Sequence, residues 1–132
     1  MKKLFLLSVV FLMFNSSYSQ VSNAELVQHQ LDAYNAGDID KFVEVFHDDV
    51  SVWKLDGDSA IISGIEDFTQ SYGNLFEQSP DLYCNVVNRT IVNDKVLDYE
   101  IVTGRKGSTQ TLHLVMIYEF KEGKIWKCTS VR

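Results

Sequence analysis

From Leu82 to Arg132 the chain reads LYCNVVNRTIVNDKVLDYEIVTGRKGSTQTLHLVMIYEFKEGKIWKCTSVR, and this stretch decides the fold. Its hydrophobic period is close to two, the spacing of an extended chain whose side chains alternate between two faces. Turn signals cut it into four runs. Asn93-Asp94, the Arg105 to Ser108 segment and Glu122-Gly123 separate strands at about Leu82 to Val92, Lys95 to Gly104, Thr109 to Lys121 and Lys124 to Val131. Four consecutive strands with short connections predict an antiparallel meander.

Before Pro80 the period is 3.6. Ser22-Asn-Ala-Glu25 reads as a capping box, followed by Val27, Leu31 and Tyr34 at helical spacing and by Gly37 as a stop. Asp38 can cap a second helix carrying Ile39, Phe42, Val43 and Phe46 and ending near His47. Val50 to Leu55 alternates as a strand, and Asp56-Gly57 turns it toward a short partner around Ala60 to Ile62. Ser63-Gly-Ile-Glu66 is a second capping box, opening a third helix with Ile65, Phe68, Tyr72 and Leu75 or Phe76 facing the core. Helix, helix, hairpin, helix and meander make an α+β domain, and the order excludes an alternating βαβ architecture.

Lys2 and Lys3 precede an apolar run from Leu4 to Phe14, which gives way to Asn15 to Gln20. This is the layout of a secretory signal peptide, too short in its apolar part for the roughly 20 residues that span a bilayer. Ser17 and Ser19 are small residues suited to cleavage before Gln20, so residues 1–19 are expected to be removed. The protein is then secreted or periplasmic, with no membrane span, and 20–132 form one domain. Cleavage removes two of the 12 basic residues, leaving 18 acidic ones in place, and takes the formal charge from −6 to −8. Such a balance argues against nucleic acid as a partner.

The order of elements, with the local text Tyr34-Asn-Ala-Gly-Asp38, Phe46-His-Asp-Asp49-Val50, Ile62-Ser-Gly64, Asn88-Arg89 and Tyr118-Glu-Phe-Lys-Glu-Gly-Lys-Ile125, resembles the SnoaL-like, ketosteroid isomerase-like branch of the nuclear transport factor 2 superfamily. The resemblance covers nearly all of 20–132. It implies a cone-shaped curved antiparallel sheet with three N-terminal helices packed on its concave face, and a pocket for a small apolar molecule. Ketosteroid isomerases use a carboxylate base with a Tyr and a protonated acid as oxyanion hole. Carried over position by position, those roles fall on Lys54, Gln30 and His113, none of which matches in type. The expected activity is therefore not steroid isomerisation. It is binding of a small apolar compound, or cofactor-independent isomerisation, cyclisation or hydrolysis of one, with a non-catalytic binding or filled-cone dimerisation module as the alternative.

Gln30, Lys54 and His113 would converge in the cup, with His113 as a general base and Lys54 as an electrostatic partner. Alternation assigns the walls. Leu97, Tyr99 and Ile101 are taken as the inward face and Asp98 and Glu100 as the outward one, because the first set is apolar. On the next strand Thr111, His113, Val115 and Ile117 are taken inward, and on the last Trp126, Cys128, Ser130 and Arg132. The ligand-contacting set is then Gln30, Tyr34, Tyr99, Ile101, Val115, Trp126, Cys128, Ser130 and Arg132.

His47-Asp48-Asp49 resembles a metal cluster in composition only, since three consecutive side chains diverge; no metal or organic cofactor is expected. Cys84 and Cys128 fall on the first and last strands of the meander, too far apart for a bridge, and are expected as buried free thiols. With one face of the Thr109 to Lys121 strand in the cup, Leu112, Leu114, Met116, Tyr118 and Phe120 are left outside, which predicts a homodimer through the outer sheet face.

Overall fold

The computed structural model describes residues 21–132; the expected signal peptide, 1–19, lies outside the described residues. Helix α1 (Asn23–Ala36) starts at a capping box in which Ser22 and Glu25 each hold the other's backbone amide. It ends where Gly37 takes a left-handed conformation (φ 66°) and returns its N–H to the last turn. Asp38 caps the short α2 (Ile39–Val43) through the Lys41 amide.

Phe46 and His47, expected to end α2, instead open strand β1 (Phe46–Lys54). Tertiary pairing overrides the local helical spacing here: the Ile125 amide donates to the Val45 carbonyl at 2.8 Å, and Phe46 lies in register with Ile125. The Asp56-Gly57 turn returns the chain to β2 (Ile62–Ser63), where Ser63 pairs with Ser51 and is lost as a helix cap. Helix α3 (Ile65–Gln78) is preceded by Gly64 and has no side-chain cap.

Strands β3 (Tyr83–Val92), β4 (Lys95–Thr103), β5 (Leu112–Lys121) and β6 (Lys124–Val131) form the expected meander. The six-stranded sheet runs β2-β1-β6-β5-β4-β3. All its pairs are antiparallel except β1 with β6. The sheet is curved and open, and the helices cover one face of it. Between them Phe42 stacks on Phe68 (centroids 5.6 Å apart) and touches Phe46 and Tyr72 at 5.0 and 4.9 Å. None of the described helices is long and apolar enough to cross a membrane.

Two bulges in the meander set which of its side chains enter the cone. Val86 pairs with Glu100 and Asn88 with Tyr99, so Val87 is an extra residue and the strand beyond it changes phase. Glu119 pairs with Lys127 and Phe120 with Ile125, which makes Trp126 the extra residue on β6.

The inward faces of β4 and β5 are the reverse of those expected. Val96, Asp98, Glu100 and Val102 are buried under the helices, and Leu97, Tyr99 and Ile101 face away. On β5, Leu112, Leu114, Met116 and Tyr118 face the core, while Thr111, His113, Val115 and Ile117 are turned outward. Burying two carboxylates is tolerable because each is met by a partner inside, whereas alternation alone weighs only their solvation cost. The residues expected to form a dimer patch, Leu112, Leu114, Met116, Tyr118 and Phe120, therefore belong to or pack on the core.

Candidate functional site: a buried carboxyl in the cone

The cone holds a cavity of about 310 Å³, at the small end of the range for ligand pockets. Its walls are mostly apolar and aromatic, with Leu31, Phe42 and Tyr72 from the helical side and Val102, Leu114 and Met116 from the sheet. A hydrogen-bonded chain crosses it. The Gln30 amide on α1 donates to the Tyr118 hydroxyl at 3.1 Å, and that hydroxyl donates to the Glu100 carboxylate at 2.9 Å. Gln30, Glu100 and Tyr118 are buried, so each link is protected from water.

Burial pushes the Glu100 carboxyl up to about 7, reinforced by the neighbouring Asp98 carboxylate; the hydrogen bonds from Tyr118 and Cys84 and the charge of Arg89 pull the other way. Desolvation wins because no cation touches Glu100 itself. Burial likewise raises the Tyr34, Tyr72 and Tyr118 phenols and the Cys84 and Cys128 thiols well beyond neutral pH, so these groups are protonated donors around the cavity. Cys84 and Cys128 are unpaired.

Asp98, fully buried, lies one pleat along β4 from Glu100. Arg89 grips it with two hydrogen bonds, Nε to Oδ1 at 2.7 Å and Nη2 to Oδ2 at 2.9 Å, while Nη1 reaches Gln28 on α1 at 3.0 Å. Asn35 exchanges two hydrogen bonds with the Cys84 backbone, at 2.9 and 2.8 Å. Helix α1 is thus tied to β3 at two levels, which fixes Gln30 over Tyr118.

The residues expected at the site separate into two groups. Gln30, Tyr34, Cys128 and Arg132 line the cavity. Ser130 is buried but turns its hydroxyl to the Trp53 carbonyl at 3.3 Å. Trp126 sits in the β6 bulge with Lys121 over its ring. Tyr99, Ile101, Val115 and His113 occupy the outer face, where the Tyr99 hydroxyl lies 2.9 Å from His113 Nδ1. Lys54 is exposed at the end of β1 and does not line the cavity. Gln30, Lys54 and His113 therefore do not converge.

Glu100, Tyr118, Arg89 and Arg105 are the site residues that sequence reasoning missed. One signal was present: Val96 and Val102 bracket Asp98 and Glu100 in the same phase, so that face was as readable as buried as its opposite. Among the described residues no group of three or more His, Cys, Asp and Glu side chains is arranged to hold a metal ion.

Comparison with known proteins places this geometry. A cystatin-fold protein from Novosphingobium aromaticivorans superposes with a TM-score of 0.78 at 26% identity, over 85% of this chain and 99% of that one. A candidate polyketide cyclase from Sinorhizobium meliloti gives 0.68 at 19% identity, over 81% and 94%. A protein with a ketosteroid isomerase-like fold from Catenulispora acidiphila, solved in complex with trimethylamine, gives 0.66 at 11% identity, over 85% and 87%. No curated protein matches the sequence. The model of the SnoaL-like domain matches residues 27–128, from the first turns of α1 to the cavity-lining Cys128, and the chain belongs to that family.

Proposed function

We propose that the cone binds a small, largely apolar molecule and that Glu100 moves a proton on it, in a cofactor-independent isomerisation, cyclisation or related reaction. One observation carries this reading: a carboxyl is buried in the wall of an apolar cavity, where desolvation pushes it up to about 7. A general acid or base works best when its pKa lies near the working pH. Tyr118, held by Gln30, hydrogen-bonds one Glu100 oxygen and keeps the carboxyl in a fixed orientation. A candidate polyketide cyclase among the structural relatives is consistent with chemistry next to a carbonyl.

The test is exchange of solvent deuterium into the acidic C–H positions of a small ketone such as 2-tetralone, followed by NMR. Exchange is expected to rise with pH through about 7 and to fall at least about a hundredfold in Glu100→Gln, the usual weight of a positioned acid or base. Unaltered exchange in that variant would refute the assignment. A binding-only role is favoured by one feature: Tyr118 and Cys84 both engage Glu100 before any ligand arrives. Ligand retention without exchange would establish it. A filled cone is disfavoured, because the walls enclose a cavity of about 310 Å³.

We propose further that the protein is exported through its N-terminal leader, and that it forms a homodimer across the outer face of the sheet. Leu97, Ile101, Val115 and Ile117 form a half-buried apolar patch there, and a two-fold contact would reuse it.

A further inference from the structure

Three charged side chains line the cavity, and two of them are arginines: Arg105 and Arg132, with Glu100. Both arginines are exposed, so they stand at the rim, whereas Glu100 is buried in the wall. The sheet register explains why both open on the same cavity. Val102 pairs with Leu112 and Val115 with Val131, which brings the end of β4, the start of β5 and the end of β6 to one side of the cone. Arg105 follows β4, and Arg132 follows β6.

Arg105 is anchored on both sides. Gly104 (φ 76°) packs so closely on the Asp81 carbonyl that no Cβ would fit, and the Lys106 amide donates to the buried Ser79 hydroxyl at 3.0 Å. Among the described residues no carboxylate lies within 4.0 Å of either guanidinium; the ion pairs of those residues all involve other side chains. In a chain whose net charge is −6, two cations without partners on the rim of an apolar cavity run against the overall balance. Arg is suited to that position, since its planar fork meets a carboxylate with two parallel hydrogen bonds.

We propose that the ligand is a small carboxylic acid, bound with its apolar body in the cone and its carboxylate at Arg105 and Arg132. This rests on the cavity being the binding site, and it names the class of molecule that site selects. The acid group stays at the rim, half in water, while the far end of the body meets Glu100. Tyr34 and Tyr72, protonated and lining the same cavity, leave the arginines as the cationic features of the pocket.

Isothermal titration of the purified protein at pH 7 with 2-naphthoic acid and with 2-naphthamide tests the inference, because the two share one apolar body. The acid is expected to bind about tenfold more tightly, the size of a charge-assisted hydrogen bond. In Arg105→Gln/Arg132→Gln that preference should shrink to less than about twofold. Equal affinities for acid and amide, both abolished by the cavity-blocking Leu112→Trp, would overturn the anion inference and leave the cavity as the site. Binding unaffected by Leu112→Trp, or no binding of either probe by the folded protein, would overturn the cavity reading and the inference with it. Circular dichroism of each variant confirms that the fold survives.

Discussion

Glu100 couples the site to stability. A carboxyl near 4.5 in the unfolded chain and about 7 in the folded one carries more protons in the native state between those values. Stability therefore falls as pH rises from about 4.5 to about 7, by on the order of 3 kcal/mol, and is level above that window as far as this group is concerned. Glu100→Gln should flatten that slope and raise the melting temperature at pH 8 relative to the parent; a scan from pH 5 to 8 checks it. Tyr118→Phe removes a hydrogen bond that favours the charged form, so the midpoint of the deuterium-exchange profile should move up. It also strands the buried Gln30 amide, at about 1–3 kcal/mol, readable by urea unfolding.

At the scale of elements, β3 and β4 depend on the Arg89 to Asp98 pair. Arg89→Met leaves a fully buried carboxylate without its partner and should cost about 3 kcal/mol, whereas Arg89→Met/Asp98→Leu should recover most of it. Chemical unfolding of both variants is the check. Gly104→Ala should lower stability and disturb the cavity rim together, because the added methyl would run into the Asp81 carbonyl.

The same elements show how far the sequence could be read. The Ser22 capping box, the Gly37 stop and the turns at Asn93-Asp94 and Glu122-Gly123 are local signals, and the elements they bound are present as expected. The facing of β4 is not a local property. Both its phases carry apolar residues, and the deciding partners, Arg89 and Tyr118, lie on other strands. Alternation assumed that carboxylates seek water, and it failed where the fold supplied donors. On the cavity wall, Gln30 was placed by the family resemblance, Tyr34 by helical spacing, and Cys128 and Arg132 by an alternation that holds beyond the Trp126 bulge.

For the molecule as a whole, the proposed dimer is tested on its outward face. Val115→Glu or Ile117→Glu should convert a dimer to a monomer in sedimentation at micromolar concentration, with little change in the far-ultraviolet spectrum. A single monomeric species in the parent protein would refute the dimer. N-terminal sequencing of the exported protein should find Gln20 first, and Met1 on a membrane-bound form would refute cleavage.

Val87 has a consequence best put in genetic terms. It is the extra residue of β3, and its own side chain is half exposed. Replacing it with Thr or Ile should be nearly silent, and deleting its single codon would keep Arg89 opposite Asp98, because Val86 already pairs with Glu100 and Asn88 with Tyr99; only the local kink would be lost. A survey of natural and random variants should therefore find this position free in identity and missing from some of them, with Arg89 kept in place.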